Sequence, residues 1–457
     1  MRLLKGLTHL CKHMSPDTRV NRQKESFLLP RNHPNRVQLH AEIHARPHAQ
    51  IRIPALETNV SVLNEGVTLE DELRLLRLLP GQSGLELADM TQSFLRLHID
   101  DCILRWERHG EFTRYSLTQA LPTDTGWGSE NPNLSAIDKL PPDWLASIPG
   151  QTISATQLAM IQVKLGSEEE TLTTAKLWLG TEAIVAARIG AGYAMAFTDF
   201  QLRGDGFTRY LAVAESLSEA RAGRVSSRLL ELEIYRMMAL LGWPIARELG
   251  PLLKEAELQL AAITRAMDSD QHSDSDLLHQ LIALAARIEG ATAAHSFRFA
   301  ATTAYKNLVL TRIADLKEVR LPGVQTFSEF LSRRFSPAMA TVEASHKRLT
   351  NLSERVERSS ALIRTRADIV REEQNLTLLE KLNDGQRMQL RLQQTVEGLS
   401  IAAISYYVLG LVAYGLKATK AAGLAINTDI ATGMAIPVVI ATVAYFSSII
   451  RRRLGQK

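Results

Sequence analysis

Cysteine is scarce in this chain, and a large excess of one charge is missing as well. The 457 residues include only Cys11 and Cys102, which excludes a disulfide framework and fits a reducing compartment. Lysine and arginine number 53 against 49 aspartate and glutamate residues, so the net charge is only +4. A surplus this small for the chain length does not indicate a nucleic-acid partner.

The motifs of the common enzyme classes are missing too. The sequence contains no phosphate-cradling loop, no nucleophile elbow and no zinc-ligand spacing. Gly190-Ala191-Gly192 is too short for a dinucleotide fingerprint, which needs three spaced glycines between a strand and a helix. The sequence therefore predicts no enzyme activity and no cofactor, although a divalent cation is compatible with it.

Two long stretches near the C-terminal end lack charged residues altogether. Residues 399–416 and 430–450 contain no Asp, Glu, Lys, Arg or His. About 20 helical residues cover the ~30 Å of a bilayer core, so the pair predicts a transmembrane hairpin over 399–450 with the lipid bilayer as its partner. The alternative is a buried helical hairpin of a soluble protein, in which two charge-free runs of this length seldom occur together.

The basic residues that flank these stretches predict an orientation. Arg451, Arg452 and Arg453 follow the second stretch, whereas the connecting loop holds only Lys417 and Lys420. By the positive-inside rule both termini lie in the cytoplasm. The first fourteen residues are basic but lack the apolar core of a secretory signal, which agrees with a cytoplasmic amino end in a protein that crosses the membrane more than once.

Composition and periodicity divide the chain into six segments. The predicted fold class is an α+β or α/β cytoplasmic domain, followed by a long-helix region and a C-terminal two-helix transmembrane hairpin. The segments are a basic, poorly ordered leader (1–35), a mixed α/β domain (36–215), a helical domain (216–336), a long stalk helix (337–398), the hairpin (399–450) and a basic cytoplasmic tail (451–457).

Local patterns add detail to the mixed domain. Residues 103–108 and 112–117 are rich in strand formers and are separated by His109-Gly110, which predicts an antiparallel pair with a tight turn. Helices are expected over 68–79 and 89–97. The chain then becomes helical from about residue 216 onward.

The stalk carries a seven-residue repeat. If continuous from Pro337, about 60 helical residues would reach ~90 Å. The seam predicts either association with further copies of the chain or packing against residues 274–318 of the same chain, and both can hold together. Asp384-Gly385 is the expected hinge. The repeat consists of Val342, Leu349, Val356, Ile363 and Val370.

Two groups of residues in the soluble part are candidates for a ligand or metal site. His40, His44 and His48 lie within nine residues, and His40 and His44 would share one face of a helix. Pro47 disfavours that helix, so structural hydrogen bonding or a docking loop is the alternative. Glu107 and His109 fall on the predicted strand pair, where cross-strand ion pairs also explain the charges.

The predicted hairpin has little chemistry of its own. No ionisable group lies in the middle of either stretch, which argues against a proton relay. Gly433, Pro437 and Ala441 recur every four residues and would let another helix approach closely. We interpret this face as a packing surface, with pore lining as the alternative if the hairpin assembles into an oligomer.

Several phrases of the sequence together resemble a bacterial family of uncharacterised membrane-anchored proteins, domain of unknown function 3422. The resemblance covers nearly the whole chain from about residue 30 and implies a bacterial inner-membrane protein, without an activity. The phrases are His44-Ala-Arg-Pro47, Trp106-Glu-Arg-His109, Gly206-Phe-Thr-Arg209, Glu233–Met238 and Thr395–Tyr407.

The architecture is also similar to the CorA superfamily of divalent-cation channels, which have a cytoplasmic α/β body, a long stalk helix, two spans and a basic tail. Their Tyr-Gly-Met-Asn signature aligns with Tyr414-Gly415-Leu416-Lys417, of which the first two residues match. Lys417 replaces the asparagine expected to contact a hydrated cation, so the resemblance does not imply magnesium selectivity.

These expectations leave two main functional hypotheses. The first is a CorA-like homo-oligomer that passes or senses ions under the control of its cytoplasmic domain. The second is a membrane-tethered scaffold or partner-binding protein without transport activity. A tethered enzyme is a third, and it would require the segments around His44 and Trp106–Glu111 to converge on one pocket.

Overall fold

The computed structural model describes residues 32–37, 39–40, 49–134, 140–141, 143–269, 272–422 and 427–454. Residues 1–31 of the predicted leader lie outside this description. The chain forms two compact units, one of Met1–Leu252 with Ala293–Arg348, the other of Leu253–Thr292 with Leu349–Lys457.

The α-helices are α1 (Leu69–Arg77), α2 (Glu168–Leu179), α3 (Glu219–Leu240), α4 (Gly242–Met267), α5 (Asp274–Leu316), α6 (Phe327–Ala421) and α7 (Thr428–Leu454). The strands are β1 (Ala55–Leu63), β2 (Phe94–Ile99), β3 (Cys102–Arg108), β4 (Phe112–Ala120), β5 (Gln151–Gln162), β6 (Val185–Ile189), β7 (Ala194–Thr198), β8 (Thr208–Ala214) and β9 (Val319–Arg320).

The first unit is built on a mixed sheet. Nine strands of the described residues follow the order β2-β3-β4-β1-β5-β8-β7-β6-β9. Strands β5 and β8 run parallel, and the other neighbours are antiparallel. The predicted order of a mixed sheet domain, long helices and two C-terminal apolar helices is therefore confirmed. The predicted pairing of residues 103–108 with 112–117 is also confirmed, since Ile103–Arg108 pair with Thr113–Thr118.

The central strand β1 is buried on both faces, and its two faces differ in chemistry. One face contributes Val60 and Val62 to an apolar core. The other face presents Glu57, Asn59 and Ser61, each of them fully buried. Side chains alternate along a strand, so this sequence places a polar layer directly behind an apolar one.

Helices α1 and α2 cover the apolar face with large side chains. Leu76 of α1 packs in one core with Trp106 and Trp144, and the Trp144 indole N–H donates to the Leu75 carbonyl at 3.0 Å. Trp178 of α2 belongs to a second core that covers β5 to β8. Burial of aromatic side chains of this size dominates the stability of such cores.

Helix α3 covers the polar face and approaches the chain very closely at one point. A Cβ atom built on Gly223 would lie 1.6 Å from the carbonyl oxygen of Ala49. The same neighbourhood is fixed by a hydrogen bond from the Ile51 N–H to the Glu219 carbonyl, 3.1 Å long. Glycine is therefore required here by contact with the backbone.

The second unit packs the seven-residue repeat within the chain. Leu349, Val356 and Ile363 of α6 are buried, and Val356 lines a groove of about 580 Å³ together with Ile288 of α5. Arg366 forms an ion pair with Asp274 at the start of α5, with 3.5 Å between Nε and Oδ2, and also donates to the Met267 carbonyl at 2.6 Å. The predicted packing against residues 274–318 of the same chain is thus confirmed for this part of the stalk. Residues 368–396, by contrast, are all exposed.

One secondary-structure prediction in the mixed domain is wrong. The expected helix over 89–97 is a short 3₁₀ turn at Leu87–Gln92 followed by strand β2. Ser93 adopts a left-handed conformation with φ 55° and ends the turn. The following Leu95–Ile99 segment alternates apolar and polar residues, and pairing with β3 then decides the conformation of the strand.

The expected helix start at Pro337 is also wrong. Helix α6 begins at Phe327, because the Thr326 hydroxyl accepts the Glu329 N–H at 3.1 Å and the Glu318 carboxylate accepts the N–H groups of Phe327 and Ser328. These bonds satisfy the donors of the first turn. The helix continues for 95 residues with Pro337 inside it and without a break at Asp384-Gly385, so the predicted hinge does not interrupt the helix in this structure.

We predict that Gly223→Ala destabilises the protein although alanine is the better helix former. The added methyl group would overlap the Ala49 carbonyl and force the backbone apart, at a cost of about 1–3 kcal/mol. Thermal unfolding of the purified protein in detergent measures the effect. Gly290→Ala in α5 is the matched control, because nothing lies within 4 Å of its added Cβ. That variant should gain about 0.5–1 kcal/mol, and equal effects for the two variants would contradict the close approach.

Candidate functional site

The polar face of the sheet opens at one end into a cavity of about 260 Å³. We call the residues that line this cavity the charge cluster. Strands β3 and β4 supply one wall, and helices α3 and α5 supply the other. The lining consists of Arg105, Glu107, His109, Phe112 and Arg114 from the sheet, Ser227, Glu231, Ile234 and Tyr235 from α3, and Arg312 from α5.

The sheet wall of the cluster is made of buried ion pairs. Glu107 and Arg114 are cross-strand neighbours, and the Arg114 Nη2 donates to the Glu107 Oε2. These two residues are only 3% and 5% exposed. Arg105 donates from Nη2 to the Glu57 Oε1 at 3.1 Å, and the Ser226 hydroxyl donates to the Glu57 Oε2. A buried carboxylate needs such partners, because burying it alone would be very costly.

The helical wall carries a second set of pairs. Arg312 donates from Nε to Glu231 on α3 and from Nη1 to the Asp315 Oδ2 at 2.9 Å. It therefore ties α5 to α3 across the cavity. At the rim, Arg298 of α5 forms an ion pair with Glu111 in the β3–β4 turn, with 2.8 Å between Nη2 and Oε1.

The ion pairs of the cluster keep Glu107 and Arg114 charged. Burial raises the pKa of Glu107, but Arg114 and Arg105 more than offset this, and the pKa ends below its usual value. Burial lowers the pKa of Arg114, but Glu107 and Glu231 outweigh it and raise the pKa. Burial and the nearby Glu231 raise the pKa of Tyr235. The Glu107–Arg114 pair thus stays charged, and the Tyr235 phenol stays neutral.

This arrangement favours structure over catalysis. A general base needs a pKa near the working pH, whereas Glu107 is held as a carboxylate by two guanidinium groups. The Nε donors of Arg105 and Arg114 are buried and have no hydrogen-bond partner among the described residues. A water molecule or a small polar ligand in the cavity would satisfy them.

The structure brings together only some of the predicted site residues. Glu107 and His109 both line the charge cluster, with the His109 ring stacked on Phe112 at 4.4 Å between centroids. His40 is exposed and is not part of this lining, and His44 and His48 lie outside the described residues. Within the described ranges no group of three or more His, Cys, Asp or Glu side chains is placed to hold a metal ion. The histidine site remains a prediction.

Sequence reasoning missed most of the charge cluster. Arg114, Glu231, Tyr235 and Arg312 were not among the predicted site residues, although they complete it. One signal was present in the sequences of the strands. Arg105, Glu107 and Arg114 are charged residues on one face of β3 and β4, whereas the opposite face of these strands contributes to an apolar core. Charge on a strand buried on both faces indicates a partner layer that is polar too.

Two helices of the described chain are long and apolar enough to cross a membrane. One is the end of α6 and the other is α7, and only 6% and 0% of their most apolar windows are buried within the chain. The 95 residues of α6 as a whole greatly exceed a bilayer, so only its apolar end is a candidate span. These helices suggest membrane association.

The remaining predicted residues lie on this pair of helices. Tyr414 is exposed, Gly415 is next to it, and the Lys417 ammonium lies 5.9 Å from the Tyr414 ring centroid. The groove between the two helices is lined on α7 by Ile436, Val439 and Ile440.

The small-residue face points away from that groove. Gly433, Pro437 and Ala441 are exposed in the single chain, so their packing role stays a prediction for contacts outside it. Arg451, Arg452 and Arg453 belong to the last turn of α7.

Comparison with known families now gives the relationship of this chain. A family described as protein of unknown function (DUF3422) matches residues 31–454. The chain belongs to the DUF3422 family. No curated protein matches the sequence. The resemblance noted from its short phrases is thereby confirmed for the DUF3422 protein, while its similarity to CorA channels stays an expectation.

We predict that Glu107→Gln strongly destabilises the DUF3422 protein. The substitution keeps the shape of the side chain but leaves the buried Arg114 without its carboxylate, which costs about 3–5 kcal/mol for a buried pair. Denaturant unfolding of the purified protein in detergent measures the loss. The matched control is Glu255→Gln, whose ion pair with Arg287 is exposed and worth at most about 1 kcal/mol.

The same comparison has a defined pH dependence. Because folding lowers the pKa of Glu107 below 4.5, the carboxylate contributes stability that is fully present above about pH 4.5 and is lost as the pH falls through the lower folded value. The difference between the parent protein and Glu107→Gln should therefore stay constant from pH 7 to about pH 4.5 and shrink only on further acidification. A difference that stays constant below pH 4.5 as well would show that the pair is not the cause.

Proposed function

We propose that the DUF3422 protein is a bacterial inner-membrane protein that assembles from several copies and passes or senses ions under the control of its cytoplasmic domain. The apolar ends of α6 and α7 cross the bilayer, and both termini lie in the cytoplasm. The observation that carries the proposal is the length of α6, a single helix from the soluble fold into the first apolar stretch. Such a helix can transmit a change at one end to the other.

The exposed part of α6 supports assembly. Along residues 368–396 the helix makes no buried contact within the described chain, yet it carries many large apolar side chains. A helix in a protein gains most of its stability from the packing of an apolar face. The exposed members include Leu376, Leu378, Leu379, Leu382, Met388, Leu390, Leu392, Val396 and Leu399.

The spacing of these residues fits packing between copies. One stripe alternates steps of four and three residues, which is the repeat of a supercoiled helix seam. We call it the stalk stripe, and its members are Leu378, Leu382, Gly385, Gln389, Leu392, Val396 and Leu399. It continues directly into the first apolar stretch. A second copy would cover it along its whole length.

The order of the elements supports an ion-related role. A mixed sheet domain, a long helix, two apolar helices and a basic tail follow one another as in CorA channels, and Tyr414-Gly415 occupies the end of the first apolar stretch. Lys417 and Lys420 follow it where CorA channels favour a hydrated cation. The flux measurement described below therefore has to determine which ion passes.

A membrane-tethered scaffold is the second candidate. It is favoured by the apolar stretches themselves, which contain no carboxylate and no basic residue to guide an ion. In that case the hairpin is an anchor and the soluble domain holds a partner. A monomer without ion flux would favour this candidate.

We predict a topology with the connecting loop outside and the soluble domain inside. Lys420→Cys should react with a membrane-impermeant maleimide on intact cells, because its side chain would lie beyond the bilayer. The exposed Ser332→Cys on the soluble part is the control and should react only after permeabilisation. Native Cys102 is buried and should contribute little, and Cys11 is replaced by serine in both variants. Labelling of Ser332→Cys on intact cells would contradict the orientation.

We predict that the combined variant Leu382→Glu and Leu392→Glu breaks the oligomer. These side chains are 63% and 61% exposed in the single chain, and burying a leucine between copies is worth about 1.5–3 kcal/mol. The mass of the detergent-solubilised complex, measured by light scattering, should fall to that of a monomer. Gln394→Glu adds charge on the opposite side of the same helix turn and should leave the mass unchanged.

Reconstitution of the same proteins in liposomes tests the ion role. Ion-sensitive dyes should report flux with the parent protein and with Gln394→Glu, and none with the double variant. An oligomer without flux would leave assembly intact but refute ion passage, and a monomeric parent protein would refute both.

A further inference from the structure

A second cavity of the first unit differs from the charge cluster in its electrostatics. It has a volume of about 220 Å³ and lies where the β6–β7 turn meets the beginning of α3 and the end of α5. Its lining contains four basic side chains and no carboxylate. We call it the basic pocket, and the four are Arg221, Arg224, Arg228 and Lys317.

Three of the four cations come from one face of α3. Arg221, Arg224 and Arg228 are spaced by three and four residues, which places them one above another on a helix. Like charges at this spacing repel and destabilise a helix unless something compensates them. The described residues do not supply this compensation, because none of them forms an ion pair or a side-chain hydrogen bond with these three arginines.

Two carboxylates close to Lys317 in sequence are already occupied. Glu318, next to Lys317, accepts the N–H groups of Phe327 and Ser328 at 3.1 Å. Asp315 accepts from Arg312 at 2.9 Å. The contrast with the charge cluster is direct, since there Arg105, Arg114 and Arg312 all have carboxylate partners.

The turn between β6 and β7 fixes the opposite side of the basic pocket. Gly190, Ala191 and Gly192 all adopt positive φ angles of 63°, 59° and 100°. Alanine rarely adopts this left-handed conformation, so the surroundings hold the turn in place. The Ala191 N–H donates to the Lys317 carbonyl at 3.4 Å, which keeps the turn beside the lysine.

An aromatic ring orients one of the arginines. The Arg221 guanidinium carbon lies 4.3 Å from the centroid of the Tyr193 ring. Stacking of this kind restrains the planar group while leaving its N–H edge available for a ligand. The basic pocket thus presents positioned donors on one side and a fixed turn on the other.

We propose that the basic pocket binds a phosphate group. Guanidinium groups match phosphate oxygens in pairs, and several cations without counter-ions favour a ligand with more than one negative charge. The volume suits a phosphate or diphosphate group and little more, because pockets for whole drug-sized ligands start near 300 Å³. The group belongs either to a small soluble phosphorylated compound or to a lipid headgroup.

Titration calorimetry with inorganic pyrophosphate on the full-length protein in detergent tests the proposal. Binding should be detected at low salt and weaken as sodium chloride is added. Arg224→Gln and Arg228→Gln should each lower the affinity about tenfold or more, because each removes a charge-assisted hydrogen-bond donor. Arg333→Gln is the matched control, since it removes an exposed arginine of α6 outside the pocket, and its affinity should equal that of the parent protein.

Two results would overturn the proposal. One is a parent protein that does not bind pyrophosphate at low salt, and the other is an equal loss of affinity in Arg333→Gln. Unchanged thermal midpoints of the ligand-free variants show that they are folded, and Lys317→Gln provides a further variant on a different element.

The same protein in nanodiscs distinguishes the two sources of phosphate. If a lipid headgroup occupies the pocket, phosphatidylglycerol should weaken pyrophosphate binding relative to phosphatidylcholine, and Arg224→Gln should abolish that difference. Equal affinity in both lipids assigns the site to a soluble compound.

Discussion

The buried carboxylate of Glu57 is the constraint on which the first unit depends. It lies on the central strand β1 with 0% exposure, and it is held by Arg105 from β3 and Ser226 from α3. A carboxylate in that position is tolerable only when both partners are in place. Helix α3 can therefore dock on the sheet in one register, with Ser226 opposite Glu57 and Gly223 against the Ala49 carbonyl.

In that register α3 lines two different cavities, the charge cluster and the basic pocket. Beyond Ser226 the helix brings Glu231 and Tyr235 to the charge cluster, where each arginine meets a carboxylate. Arg221 and Arg224, which precede it, line the basic pocket together with Arg228, and there the described residues provide no carboxylate partner. Paired arginines in a buried layer specify how elements fit together, whereas arginines without partners around a cavity leave their donors for a ligand. The same residue type thus has a structural role in one cavity and a recognition role in the other.

The sequence predicted the features that depend on local periodicity. The β3–β4 pair, helix α1 and the apolar ends of α6 and α7 follow from patterns within a few turns or strand lengths. Strand β2 was mistaken for a helix because its apolar residues also fit a helical period over so short a segment, and its pairing with β3 decided the outcome.

The sites depend on contacts that are distant in sequence. Arg312 meets Glu231 across 81 residues through their side chains, and the Lys317 carbonyl accepts the Ala191 N–H of a turn that is also distant in sequence. A single sequence shows the charges but not their neighbours. Gly190-Ala191-Gly192 was considered only as a dinucleotide fingerprint, and the basic side chains that surround it come from α3 and from the residue after α5.

The stalk shows how one helix can serve two partners in succession. Up to Ile363 its apolar seam is buried within the chain, and Arg366 closes that contact with bonds to the Met267 carbonyl and to Asp274. Beyond this point the helix continues with exposed leucines although no described residue covers it, and a lone helix of this kind is marginally stable in water. These exposed leucines therefore stabilise the helix only if another surface covers them. The stalk stripe leads into a stretch suited to a bilayer, so a second copy held in the same membrane would present the same stripe at the same height and cover it by symmetry.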